Sequence, residues 1–204
     1  IMRSGETTLA EITPNGQAQS STYSNYVASG ANDGNINTGQ HTAGGGGEKN
    51  PWYYSKLSEA GEVHQVKIFQ HPAVGGCANR LFYNPSGTAG GCDSSNPSGN
   101  YNDETSQGAT IRVSNSPCSG DNCPGTICGR ITQSNSAQEY TTTCPPGTTG
   151  QYVSILLPGD NRMLHITEMD VMRFANTAKM VATQSTTYSN SVASLGMDDN
   201  ESTF

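Results

Sequence analysis

The sequence predicts an all-β fold of short strands joined by many loops. Three observations carry this expectation: a charge-poor, turn-rich composition, short apolar runs between turn signals, and an even number of cysteines in loop-rich sequence. Of the 204 residues, 32% are hydrophobic and 13% charged, and Gly, Ser, Thr and Asn fill the difference. Ser and Asn hydrogen-bond their own backbone and Gly tolerates unusual dihedrals, so these residues favour turns over helix interiors. The apolar clusters Val63–Phe69, Tyr152–Leu157 and Leu164–Phe174, with six cysteines, argue for a packed core rather than disorder.

The strand candidates follow in chain order. Val63–Phe69 puts Val66 and Ile68 on one face and Gln65 and Lys67 on the other, the period of two that a half-buried strand requires. Ala109–Val113 sets Ala109, Ile111 and Val113 against Thr110 and Arg112. Tyr152–Leu157 is nearly continuous in apolar residues, as in a strand covered on both faces. Pro158-Gly159-Asp160-Asn161 is a turn, and His165–Phe174 returns as one further strand. Trp52, the only tryptophan, is expected in the core beside Tyr53 and Tyr54, and His64 and His165 are read as structural. Two long loops interrupt the pattern, Thr42–Asn50 with its Gly44–Gly47 run, and Tyr83–Gln107.

Charge narrows the partners. Net charge is −7 and the ten Lys and Arg residues are scattered, which disfavours a phosphate backbone or an anionic membrane surface. No apolar run approaches the roughly 20 residues of a membrane-spanning helix. No signal peptide is visible ahead of Ile1, as expected of a mature or clipped polypeptide. Cys77, Cys92, Cys118, Cys123, Cys128 and Cys144 point to disulfides and an oxidising, extracellular compartment. A zinc site on Cys118, Cys123, Cys128 and Cys144 is the rival reading, and spacing alone leaves the pairing open.

The chain repeats itself. Gln17–Thr38 (QAQSSTYSNYVASGANDGNINT) and Ala182–Thr203 (ATQSTTYSNSVASLGMDDNEST) align without gaps at an offset of 165 residues, with 12 of 22 positions identical. Tyr23/Tyr188, Asp33/Asp198 and Asn35/Asn200 stay in register, which biased Ser/Thr composition would not achieve. Residues 7–174 are therefore read as one domain, and 175–204 as a linker and the truncated start of a second repeat.

Several local patterns, in order, resemble the F-type (fucose-binding) lectin family. Ala18–Asn35 resembles the family's opening segment, and Asn50-Pro51-Trp52-Tyr53 its Asn-Pro-Trp-Trp strand. Ala109–Ser116 is similar to the strand after the sugar loop, and Cys144-Pro145-Pro146-Gly147 with Tyr152–Gly159 to the penultimate strand. Together they cover nearly all of 7–174. The resemblance implies an antiparallel β-sandwich or jelly roll with sugar and calcium sites in loops at its ends. The family's sugar site joins a histidine to two arginines in the pattern Arg-x-Asp-x4-Arg. Guanidinium forks donate to the sugar oxygens while an apolar surface meets the fucose methyl group. Here the resemblance places His41 at the histidine, Arg80 at the second arginine and His71 at the first. The acidic position falls near Ala73, so the site departs from the pattern and is degenerate.

The resemblance also implies calcium. Asp33-Gly34-Asn35 resembles the calcium loop, and Glu168 stands at the acidic position of the last strand. Main-chain oxygens near Gly30, Thr38 and Thr167 would complete a shell of six to eight oxygens. Without the resemblance, Asp-Gly-Asn reads simply as a turn. One family disulfide is lost at both ends, where Gly39 and Thr167 stand, and Cys128 with Cys144 matches another. Cys77 survives from the sugar loop's adjacent pair, with Cys92 as its new partner, and Cys118–Cys123 closes a short extra loop.

No nucleophile elbow, His-Glu-x-x-His helix or P-loop is present, and an enzyme is not expected. The expected function is an extracellular, calcium-containing module that binds glycans, fucosylated ones by the resemblance. The alternative is a structural repeat of a tandem array or filament with no sugar binding. In either case neighbouring copies of the same domain are expected partners, the tail 175–204 packing against one of them.

Overall fold

A computed structural model describes residues 6–42, 47–70, 108–131, 139–160 and 162–174. Ten strands follow one another: β1 (Thr7–Leu9), β2 (Ile12–Gln19), β3 (Gln40–His41), β4 (Trp52–Phe69), β5 (Thr110–Ser114), β6 (Thr126–Arg130), β7 (Glu139–Thr143), β8 (Thr149–Leu156), β9 (His165–Ile166) and β10 (Glu168–Phe174). Among the described residues the one helical piece is a four-residue 3-10 turn, Ala28–Ala31. The all-β expectation holds, and every strand pair is antiparallel.

The architecture turns on β4. This 18-residue strand serves both leaves of a sandwich. Its first half pairs with β2 and with β8, which continues to β5 and β6, and its second half pairs with β10 and β7. The register with β8 shifts between Lys56 and Gly61, where the strand passes from one leaf to the other. The resemblance implies a strand at Asn50–Tyr53, and periodicity a separate one at Val63–Phe69. They are one, and through the shift in register the strand keeps a partner at Leu57, which pairs with Ile12, and at Ser58, whose amide donates to the Glu11 carbonyl at 2.9 Å.

A single main core joins the leaves. Tyr53, Leu57, Val66 and Ile68 of β4 meet Ile111, Val113, Val153, Ile155 and Val171, all buried. The alternation read from Ala109, Ile111 and Val113 is the observed inward face. Each such aliphatic side chain contributes about 1.5–3 kcal/mol through burial. Close backbone packing also requires glycine: at Gly125, φ is +104° and a Cβ would fall 2.2 Å from the Val113 carbonyl oxygen.

Two expectations are corrected here. Trp52 lies outside the main core, on the face of β4 opposite to Tyr53. It stacks on Tyr54 with ring centroids 5.7 Å apart, packs with Cys118, Cys123 and Leu156, and donates from Nε1 to the Gly120 carbonyl at 2.8 Å. Adjacent strand residues point to opposite faces, so Trp52 and Tyr53 could not both enter one core. The last strand is also divided. Thr167 interrupts it, its amide donating to the Phe69 carbonyl at 2.9 Å, so that His165–Ile166 pairs with β3 and Glu168–Phe174 with β4.

The cysteines settle the zinc question. Cys118–Cys123 and Cys128–Cys144 are disulfides, with S–S distances of 2.01 and 2.02 Å, the second as the resemblance implied and the first as expected from local proximity. Cys77 and Cys92, the long loop Tyr83–Gln107 and the tail 175–204 lie outside the described residues. No helix among the described residues is long and apolar enough to cross a membrane.

Candidate functional site

The loop between β2 and β3 forms one end of the sandwich. Gln19, the last residue of β2, holds it closed: its Nε2 donates to Thr22 Oγ1 and to the carbonyls of Tyr26 and His41, at 2.9, 3.0 and 3.2 Å. The Tyr23 amide donates to the His41 carbonyl at 2.9 Å. This folding-back brings two tyrosine rings onto a histidine far along the chain.

His41 sits opposite His165 in the β3–β9 pair, with ring centroids 5.4 Å apart. Tyr23 and Tyr26 lie 5.1 and 6.0 Å from the His41 ring, and Tyr26 meets the His165 ring edge-on at 6.2 Å. His41 Nδ1 contacts the Thr42 carbonyl. His41 is only 2% exposed, whereas Tyr23 is 47% exposed and closes the cluster on the solvent side. Sequence reasoning singled out His41 and read His165 as structural. It missed the two tyrosines, although Tyr23 recurs as Tyr188 in the repeat. His71 and Arg80, the other two expected sugar ligands, lie outside the described residues.

The second group gathers beside this cluster. Asp33 Oδ2 accepts from Thr38 Oγ1 at 2.6 Å and its Oδ1 from the Asn35 amide at 2.9 Å, so the carboxylate folds its own loop shut. Asn35 Oδ1 accepts from the Asn37 amide at 3.1 Å. The Gly34 amide donates to Glu168 Oε2, at the start of β10, at 3.1 Å. Gly30 lies so close to Gly39 that a Cβ on it would fall 2.6 Å from the Gly39 carbonyl oxygen. A Cβ on Gly39 would in turn fall 2.7 Å from the Ile166 carbonyl oxygen and 3.1 Å from Thr167 Cα. All six residues named for calcium (Gly30, Asp33, Asn35, Thr38, Thr167 and Glu168) thus fall in one neighbourhood. Gly39 and Thr167, the positions of the lost family disulfide, are adjacent.

The donor chemistry suits a hard cation. Every candidate atom is oxygen, which favours calcium over softer metals. No cluster of three or more His, Cys, Asp or Glu side chains that could hold a metal occurs among the described residues, so an ion here would lean on main-chain oxygens. Glu168 is buried and has no ion-pair partner among them. Burial first, then the charges of Asp170 and Asp33, push its pKa up to about 7, while the Gly34 and Asn35 amides oppose the rise. This is negative charge that a cation would neutralise.

No family model matches the chain, and no curated protein matches it. Solved structures do. A fucolectin from striped bass (Morone saxatilis) serum superposes at a TM-score of 0.56 with 23% identity, over 78% of this chain and 45% of that one. This chain therefore spans less than half of the bass chain. The fold is that of an F-type lectin domain. The family 32 carbohydrate-binding module of C. perfringens NanJ, solved with galactose, matches at 0.56 with 18% identity over 82% of this chain and all of that one. A Streptococcus pneumoniae fucose-binding module matches at 0.53 with 16% identity, over 80% and 93%. The structural neighbours of this F-type-lectin-like domain are thus carbohydrate-binding modules.

Proposed function

We propose that this chain is an extracellular carbohydrate-binding module of the fucose-type lectin kind, with a degenerate sugar site and a structural calcium. The observation that carries the reading is His41, set beside the half-exposed Tyr23 ring in the loop end of an F-type lectin fold. The half-exposed Tyr23 ring offers an apolar wall to one sugar, with the His41 ring packed at its base. His71 and Arg80 complete the ligand set by resemblance. Two disulfides among the described residues accord with an oxidising compartment.

Calcium would be held by Asp33, Asn35 and Glu168 with main-chain oxygens of Gly30, Thr38 and Thr167. Its contribution is mechanical: it would tie the opening loop to the last strand and so steady the β3–β9 pair that presents His41. A fucose titration followed by NMR tests the reading, run with calcium and again with chelator. Shifts at His41 and Tyr23 that weaken in chelator are expected.

A second reading, a structural repeat without sugar binding, is favoured by one observation, the 2% exposure of His41. It predicts no shifts at any fucose concentration in either buffer.

A further inference from the structure

Asn32 stands at the root of the Asp33–Asn35 loop, and its side chain is tied at three points. Nδ2 donates to the Met169 carbonyl at 2.6 Å, on the strand that bears Glu168. Oδ1 accepts from the hydroxyls of Tyr53 and Ser55, which also contact one another at 2.7 Å. Tyr53 and Ser55 are both fully buried in β4. Two hydroxyls thus fill the two lone pairs of one amide oxygen, in the interior. With the Gly34–Glu168 bond, residues 32–34 are pinned to residues 168–169 at two places.

We propose that Asn32, with Tyr53 and Ser55, is a positioning residue for the calcium loop. This rests on the calcium reading above. An ion that draws ligands from two distant segments must hold both in place, and the ordering cost subtracts from its affinity. The Asn32 amide removes part of that cost by fixing the spacing of Asp33 and Glu168 before the ion arrives. Stability of the core does not require such a triangle, because replacing all members of a buried polar network by apolar groups of similar shape is often nearly neutral. A polar arrangement here is useful for where it holds the loop. The repeat sharpens the contrast, since Met197 occupies the position equivalent to Asn32.

The prediction separates position from stability. The full chain is compared with the triple variant Asn32→Leu, Tyr53→Phe, Ser55→Ala by calcium titration calorimetry and by thermal melts in chelator. The triple variant should melt in chelator within about 3 °C of the wild type yet bind calcium about ten-fold more weakly or worse. Unchanged affinity in the triple variant overturns the proposal, as does a loss of affinity matched by an equal loss of stability in chelator. If the triple variant fails to fold, Tyr53→Phe alone decides. It removes one hydroxyl and keeps the ring, and it should weaken calcium by about three-fold, with no change overturning the idea. A wild type that takes up no calcium overturns the calcium reading itself, and this inference falls with it. The wild-type titration therefore tells that failure from a failure confined to Asn32.

Discussion

The Gly34 amide donates to Glu168 Oε2 at 3.1 Å, joining residues 134 positions apart. The contact needs a residue in the left-handed region, and Gly34 has φ +75°. A short polar turn near the start of the domain is thereby brought against the only acidic side chain that begins its last long strand. The buried carboxylate depends on that opening loop, and the loop's closure depends on the strand.

Calcium should therefore act on stability through both segments. At calcium about 100-fold above its Kd, binding to the folded state alone adds about 2.7 kcal/mol. Asp33→Ala and Glu168→Gln should each remove most of that increment while changing the chelator melt much less. Differential scanning calorimetry in both buffers checks this, and a wild-type melt insensitive to chelator sinks the site.

Cys128–Cys144 spans 16 residues and links the middle of β6 to the residue just after β7, with both half-cystines buried. Replacing both by Ala should cost about 3 kcal/mol, read from denaturant midpoints. With Cys118–Cys123 also formed, Cys77 and Cys92 are the two that remain. Non-reducing peptide mapping should link them to each other, and a bridge from Cys77 to any cysteine beyond residue 117 would refute the scheme.

Tyr53 sets an alkaline limit. Burial, reinforced by the charge of Glu168 and opposed by the Ser55 hydrogen bond, raises its phenol well above the ordinary tyrosine range. A folded pKa raised above the unfolded value means that stability is complete below about pH 10 and falls as pH climbs beyond it. Tyrosinate absorbance should show exposed tyrosines titrating first and Tyr53 as a late group, ionising together with the loss of β circular dichroism. Tyr53→Phe should abolish the late group. A Tyr53 that ionises with the exposed class, the fold intact, contradicts this.

The repeat in the tail can be tested in the seat its counterpart occupies. Grafting its residues into the opening, as Gly30→Leu, Asn32→Met and Gly34→Asp, should destabilise the domain by at least about 3 kcal/mol. The first puts a branched chain where even a Cβ lies 2.6 Å from the Gly39 carbonyl oxygen, and the last puts a carboxylate beside Glu168. A graft that melts like the wild type would show that the tail segment can serve as the opening of such a sandwich. A large loss argues against its filling that role in a neighbouring copy of this domain.

The sequence by itself determined what is local. Period-two alternation put Ile111 with Val113, and Val66 with Ile68, on one face of their strands, because successive side chains of a strand must point to opposite sides, and those faces are buried. The ordered resemblance, rather than spacing, supplied the Cys128–Cys144 pairing and gathered Asp33, Thr38 and Glu168 into one candidate site. Tertiary structure alone decided the rest. Alternation says that two neighbours face apart but not which face is the core, so only packing could send Tyr53 inward and Trp52 out against the Cys118–Cys123 loop. It also joined two expected strands into β4 and divided the last at Thr167, since a strand's length depends on the partners it meets. The rings around His41 and the Asn32–Tyr53–Ser55 triangle have no sequence signature. Their members are brought together by long-range hydrogen bonding and burial, which no local pattern encodes.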